Sequence, residues 1–355
     1  MVTASHNPPA YNGFKIEMGA RPIDTAELSV LRGLVETAAW QSVQPGVVES
    51  VDVLGSYAAD LVSAYDQLRP RRVVVDAGNG CMALVAPQVL AAVGIEVVPL
   101  FCEPDGTFPN RSPNPSDVRS LVALGDAVQA HGAEMGIAFD GDGDRAVFVD
   151  SSGQVAPADR VLVLMVRHAL QRQPGAAIVY DQKASDVVRQ AIIVRGGRPV
   201  RERSGFAHIK RRLLATQAAL AGEVSGHFFF GELGGDDALY AACYLLRILD
   251  ELGTTLDRAL ADVPVYPITP DLRVPCEPVA ARQIIKELTA AYDESRRDHL
   301  DGIRISWDDG WALVRESVTE PLITLRFEAH SEARLAAIQR EVRAASPLLA
   351  ATWPG

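Results

Sequence analysis

Hydrophobic and polar positions switch between a period of two and a period near 3.6 along most of the chain, marking out strands and helices. Arg72-Val73-Val74-Val75-Asp76 is a short β-branched run that stops at the turn Gly78-Asn79-Gly80. An apolar helical stretch from Leu84 to Val93 follows, then Ile95 to Leu100 as a second strand. Beyond a Pro- and Asn-rich loop at 104–115, the pattern predicts a helix over Asp117 to His131 and a strand over Met135 to Phe139. It restarts after Gly153 with a helix near Asp159 to Leu170, the strand Ala177 to Tyr180, a further helix and Pro199 to Arg201. Ala219 to Ala221, Phe228 to Phe230 and a long helix over Asp237 to Leu252 complete that unit. Strands and helices in this alternation predict mixed, mostly parallel sheets covered by helices. Pro264, Pro267 and Pro270 then crowd a connector. From Leu272 onward, strands such as Ile323 to Phe327 mix with two helices and suit an α+β unit. The expected class is multi-domain α/β, with consecutive α/β/α domains followed by a C-terminal α+β domain. The first fifty residues differ, offering one possible helix (Thr25 to Ala38) and a weakly patterned linker, too little to bury a core.

Composition narrows the partners. A formal net charge of −11 argues against nucleic acid, although local arginines and lysines would still admit an anionic substrate. No apolar run is long enough to cross a bilayer, and Ser5, His6 and Asn7 stand where a signal peptide would be apolar. The expectation is a cytoplasmic protein that engages no membrane. Cys81, Cys102, Cys243 and Cys276 are scattered without CxxC spacing, as suits small buried hydrophobes in a reducing compartment.

Asp140-Gly141-Asp142-Gly143-Asp144-Arg145 directly follows an apolar strand. Alternating glycines let the backbone fold tightly enough to aim three carboxylates at one point, a hard-oxygen set suited to Mg²⁺ with coordination left for a phosphate. Arg145 stands ready to answer the phosphate charge. An EF-hand loop would need Gly and Glu where Arg145 and Ser151 stand, so calcium in that form is excluded. A solvated acidic turn is the bland alternative.

Thr3-Ala4-Ser5-His6-Asn7-Pro8-Pro9, followed by Tyr11-Asn12-Gly13-Phe14-Lys15, could alone be a polar turn. Paired with the aspartate loop it closely resembles the active-site segment of the α-D-phosphohexomutase superfamily. Gly222-Glu223-Val224-Ser225-Gly226-His227 resembles that family's sugar-binding loop, and Arg315-Glu316-Ser317-Val318-Thr319-Glu320-Pro321 its phosphate-binding loop. The stretches 102–110 and 309–315 look most like the bacterial phosphomannomutase/phosphoglucomutase branch. A phosphoglucosamine mutase is the nearest rival, though its sugar loop usually has Gln where Val224 stands.

The resemblance implies interconversion of hexose 1-phosphate and hexose 6-phosphate, of mannose or glucose, through phosphorylated Ser5 and a hexose 1,6-bisphosphate. It implies Mg²⁺ on Ser5, Asp140, Asp142 and Asp144, and places His6, Lys15 and Arg145 in the catalytic machinery. Glu223 and Ser225 would meet ring hydroxyls, while Lys183, Arg315, Ser317 and Thr319 would grip the idle phosphate. His227 stands either for proton transfer or for a ring packed beside Phe228, and Lys183 could instead be a solvated lysine at a helix start. The implied divisions are 1–50, a remnant of domain I with the serine loop; 51–154, with the metal loop; 155–262, with the sugar loop; and 263–355, with the phosphate loop. A monomer or weak dimer is expected of the full-length protein.

Three departures from the pattern stand out. Most of the first domain, including a cleft arginine, precedes the serine loop in the family and is missing here, so an exposed sheet edge and association are expected. Phe206 occupies a position where the family usually has His, and Val318 one where Gly or Asn is usual. Two alternatives to an active mutase follow: a truncated, catalytically impaired sugar-phosphate-binding fragment, and a phosphatase in which water replaces the sugar hydroxyl.

Overall fold

A computed structural model describes residues 1–38, 44, 46–317 and 320–353, and among them the β-branched and aromatic runs form three five-stranded sheets. In the first sheet Arg72–Asp76 pairs in parallel with both Glu96–Leu100 and Met135–Phe139. The direction then reverses, because only the six-residue loop 140–145 joins Met135–Phe139 to Ala146–Asp150, too few for a crossover. The second sheet repeats this plan. Ala177–Asp181 lies parallel between Arg198–Glu202 and Leu220–Gly222, and Phe228–Phe230 returns antiparallel. The third sheet, 272–329, is antiparallel throughout and is covered by the helices Pro278–Ala291 and Glu332–Ala345. Two α/β units with mixed sheets followed by an α+β unit are the order read from the sequence, with two parallel and two antiparallel pairings in each of the first two sheets.

One hydrophobic core runs through both of the first two sheet units, from Leu61 to Val263, and the third unit has its own. The helices Ala158–Arg172 and Ala238–Glu251 bury nine and ten residues respectively, so they are apolar nearly all round and lie inside the molecule. Polar ties reinforce this fusion. The Tyr57 hydroxyl donates to Asp237 at 2.9 Å, and the buried Arg71 guanidinium pairs with Asp250.

The sequence reading passed over the helix Leu54–Ala64 and the hairpin Glu17–Met18 with Arg21–Pro22. Only Leu61 of that helix is buried, so its apolar face is too sparse to give a clear period. The expected helix near 25 exists as Thr25–Glu36, closed by a capping box between Asp24 and Glu27, and buries no residue.

His168, on the long buried helix, has Nδ1 2.7 Å from the Tyr244 hydroxyl and Nε2 3.1 Å from Glu251. Burial holds its pKa below the usual histidine value, against the pull of Glu251. The folded chain therefore resists a proton that the unfolded chain takes up near pH 6.5. Stability should fall as pH drops through that value and level off below the depressed one. A melting series from pH 7.5 to 5 should show the loss, and His168→Gln should remove part of it.

Candidate functional site

Acidic residues stand at or directly after the carboxyl ends of the parallel strands: Asp76, Asp140, Asp181 and Glu223. That edge is where open α/β sheets place their ligands. A two-residue bridge between Arg145 and His227, with Ala146 N–H on Gly226 O at 3.0 Å, stitches the first sheet to the second. The aspartate loop and the 222–227 loop consequently sit side by side.

The aspartate loop is shaped by its glycines. Gly143 has φ +74°, a conformation most side chains avoid. At Gly141 an added Cβ would lie 2.7 Å from Ser5 O, so only glycine lets the serine loop settle against this turn. Asp140 is fully buried, and its Oδ1 accepts from the N–H groups of Asp144 and Arg145 at 3.0 and 3.1 Å. Asp140, Asp142 and Asp144 offer ligand atoms that all lie within 4.8 Å of one another. Asp140 Oδ2 and Asp142 Oδ1 are buried with no hydrogen-bond partner among the described residues, and Asp144 Oδ1 faces His227 Nε2 at 3.2 Å. Burial, together with Asp144 and Asp142, raises the Asp140 pKa well above the carboxylate range. Two orphaned oxygens and a carboxylate that resists ionisation are what a cation of the Mg²⁺ kind would relieve. The donor set fits such an ion.

The serine loop meets this cluster through three contacts. Thr3 Oγ donates to Asp142 Oδ2 at 2.9 Å and accepts the Ser5 N–H at 2.9 Å. Lys15 Nζ reaches Asp142 Oδ2 at 3.0 Å and also bonds Asp144. Burial lowers the Lys15 pKa, but the two carboxylates outweigh it and hold the ammonium charged. Ser5 itself adopts φ +52°, in the left-handed region, a strained choice for a serine and one that recurs at functional positions. Its Oγ lies 3.1 Å from His6 Nδ1. Burial, helped by Arg145, brings the His6 pKa down to about 4, so at neutral pH its ring is uncharged and can accept from the serine hydroxyl.

His227 joins the loops. Nε2 lies 3.2 Å from Asp144 Oδ1, and Nδ1 lies 3.1 Å from Glu223 Oε2 and 3.0 Å from Ser225 Oγ. Burial favours the neutral ring, yet hydrogen bonds to Asp144 and Glu223 prevail and push its pKa up to about 10. It is therefore an imidazolium between two carboxylates, with Arg145 Nε 3.4 Å away. The His227 ring also stacks on Phe229, with centroids 5.9 Å apart.

Lys183, Arg315 and Ser317 make no hydrogen bond or ion pair to the Ser5 cluster among the described residues. Lys183 Nζ bonds Asp271 Oδ2 at 2.5 Å, and Arg315 Nε lies 3.0 Å from Asp301 Oδ2. Both belong to the seam between the second and third units, where Gln182 also reaches Asp301. The expected contact residue Thr319 and the departure at Val318 lie outside the described residues.

Asp181 and Asp236 escaped the sequence reading. Asp181 is buried, accepts from Lys183 N–H and Ser204 Oγ, and is pushed up to about pKa 6 by burial and by Glu223. Asp236 is pushed up to about 7 by burial. A carboxylate directly after the apolar strand 177–180 was the available signal for the first, the same one that marks Asp140.

Phe206 opens the helix Phe206–Thr216, packs at 6.0 Å on the buried Phe229, and turns its face to Lys15 Nζ at 5.2 Å and Lys210 Nζ at 5.5 Å. His208 does not take its place: its ring faces Arg211, at 3.4 Å. The aromatic face steadies the lysine by roughly 1 kcal/mol. Phe206→Leu, which keeps the apolar bulk and loses the ring, should lower kcat/KM about fivefold in steady-state assays.

Known proteins share this arrangement. Models described as phosphoglucomutase/phosphomannomutase α/β/α domain II, α/β/α domain III and C-terminal domain match residues 55–153, 157–266 and 272–345. A phosphomannomutase/phosphoglucomutase of Pseudomonas aeruginosa is 39% identical over 347 residues, covering 97% of this chain and 75% of its own length. A phosphoglucomutase of Neisseria meningitidis is 37% identical over 351 residues, covering 97% and 76%. The crystal structure of a phosphoglucomutase/phosphomannomutase family protein from Burkholderia thailandensis superposes with a TM-score of 0.91 at 38% identity, covering 100% of this chain and 76% of that one.

Proposed function

This chain belongs to the phosphoglucomutase/phosphomannomutase family, and from that premise we propose that its strained Ser5 carries the phosphoryl group of a phosphohexomutase. The enzyme interconverts hexose 1-phosphate and hexose 6-phosphate. The observation that carries the serine assignment is the stitching of Thr3 and Lys15 onto Asp142 and Asp144, which fixes the serine loop over the aspartate cluster.

Phosphoryl transfer asks for positioning and for positive charge where negative charge develops. In the forward half-reaction the bond from phosphorus to Ser5 Oγ breaks as the bond to a sugar hydroxyl oxygen forms. The hydroxyl proton leaves the sugar, and the serine oxygen regains one. The hexose 1,6-bisphosphate so formed reverses in the cleft and returns its other phosphate to Ser5. Asp140, Asp142, Asp144 and a phosphate oxygen on Ser5 would hold Mg²⁺, which supplies the largest local positive charge. Lys15 and Arg145 add their own beside it. Neutral His6 can take or return the proton at Ser5 Oγ. Glu223 and Ser225 would engage ring hydroxyls, and His227 keeps their loop pinned to Asp144. Lys183, Arg315, Ser317 and Thr319 would hold the idle phosphate from across the seam.

Phosphorus NMR of the purified chain tests this reading. With Mg²⁺, a trace of glucose 1,6-bisphosphate and mannose 1-phosphate or glucose 1-phosphate, the 6-phosphate resonance should appear. Release of inorganic phosphate in its place would identify a phosphatase, and no conversion would sink the mutase.

A further inference from the structure

Away from the aspartate cluster, the second and third units enclose a cavity of about 310 Å³, lined among others by Arg189, Arg201, Arg304, Trp307, Trp311 and His330. The lining also carries Asp186 and Asp308, yet one arginine has no partner carboxylate. Arg304 is 5% exposed, yet it forms no ion pair among the described residues, and its Nε has no partner. Its single hydrogen bond, Nη1 to Gln182 O, is long at 3.5 Å. The guanidinium carbon lies over Trp311, 4.2 Å from the ring centroid. Arg201 also keeps a buried Nε unpartnered, while its Nη2 is held by Asp298.

Of the carboxylates on or beside the lining, Asp308 is exposed and pairs with no cation among the described residues, while Asp186 and Glu328 are engaged as follows. Asp186 accepts from Arg189 Nε at 2.6 Å, Arg189 Nη2 at 3.0 Å and Gln190 at 3.0 Å. Glu328 Oε1 accepts from Trp311 Nε1 and Asp186 N–H at 2.9 and 2.8 Å. Glu328 Oε2 is unpartnered too, and neither it nor Asp186 forms an ion pair with Arg304 among the described residues, although both carboxylates pull the Arg304 pKa upward. Burial and the neighbouring Arg201 bring even the Arg304 pKa down to about 10. An arginine cannot shed its charge at neutral pH, so a buried one without an anion is costly.

We propose that this cavity binds an oxyanion of the phosphate or sulfate class, bridged between Arg304 of the third unit and Arg201 of the second. Such an ion would accept from Nε and Nη groups in the geometry that guanidinium forks favour. Because its two anchors lie on different units, occupancy would tie the C-terminal unit to the rest of the molecule.

Sulfate is the probe, added to the full chain at an ionic strength held constant with sodium chloride, with thermal midpoint as the readout. The chain carries Arg315→Ala, which weakens sulfate binding at the phosphate loop of the proposed mechanism and so keeps the test separate from that reading. The midpoint should rise with sulfate. Arg304→Met or Arg201→Met should weaken the apparent sulfate affinity by roughly tenfold or more, the loss of one charge-assisted contact. Two variants are needed because either alone could fold poorly. An equal rise with glycerol 2-phosphate would assign the cavity to a phosphate ester, and a rise with sulfate and inorganic phosphate alone to the free ion. No sulfate response, or one unchanged in both variants, would overturn the proposal. So would an Arg304→Met chain strongly destabilised without sulfate, since that would mean the arginine is paired within the protein.

Discussion

Ser5→Ala should abolish mutase turnover, by more than about 10⁴-fold, because the phosphoryl carrier itself is removed and water or a spectator hydroxyl cannot take its place. The rest of the site should survive the change. Thr3 reaches Asp142 through its own hydroxyl, and Lys15 reaches both aspartates, so the serine loop keeps its attachments without the Ser5 Oγ. Alanine also adopts φ near +52° reluctantly, so a modest fall in melting temperature is expected alongside. The informative pair of measurements is turnover and retention of phosphate. Wild type incubated with glucose 1,6-bisphosphate should gain the mass of one phosphoryl group, and the variant should not. A variant that still interconverts hexose phosphates would place the carrier elsewhere. Phosphorylation of Ser5 without turnover would instead favour the reading of an impaired, sugar-phosphate-binding chain.

Much of this site was legible because its chemistry is written locally. Three aspartates separated by glycines, directly behind an apolar strand, announce a cation cradle through spacing alone. The parallel sheets were legible for the same reason, since Val73 to Val75 and Ile178 to Tyr180 are continuous apolar runs, as strands buried on both faces must be. What remained hidden depends on contacts between distant residues. Asp236 becomes a site residue only because the strand Phe228–Phe230 and its short partner turn it toward His227, 3.9 Å away. Arg304 reads as an ordinary strand arginine until Arg201, more than a hundred residues earlier, is found beside it. Phe206 shows the third case. Its identity marks a departure from the family pattern, but its use as a face for two ammonium groups follows from the packing of Phe229 beneath it.

His227→Gln should cost about 10²- to 10³-fold in kcat/KM, the range in which a positioned proton-transfer or charge-balancing group acts. Glutamine has a single donor nitrogen, which can face Glu223 or Asp144 while its carbonyl oxygen faces the other carboxylate, and it carries no charge. Asp144 and Glu223 would then face each other across a neutral side chain, so the 222–227 loop should loosen and KM should rise along with the fall in kcat. The sign of the pH effect follows from the raised pKa. Folding lifts His227 from the usual value near 6.5 to about 10, so its stabilising contribution is full below pH 6.5 and is lost as pH rises through 10. Wild-type stability should accordingly decline on the alkaline side, where His227→Gln should be flatter and already lower. Activity should follow the same limb, since the neutral ring no longer holds the two carboxylates together. Thermal midpoints and kcat/KM measured from pH 7 to 10.5 on both proteins would decide the matter. Parallel alkaline limbs in wild type and variant would take the limb away from His227 and reduce it to a packed ring.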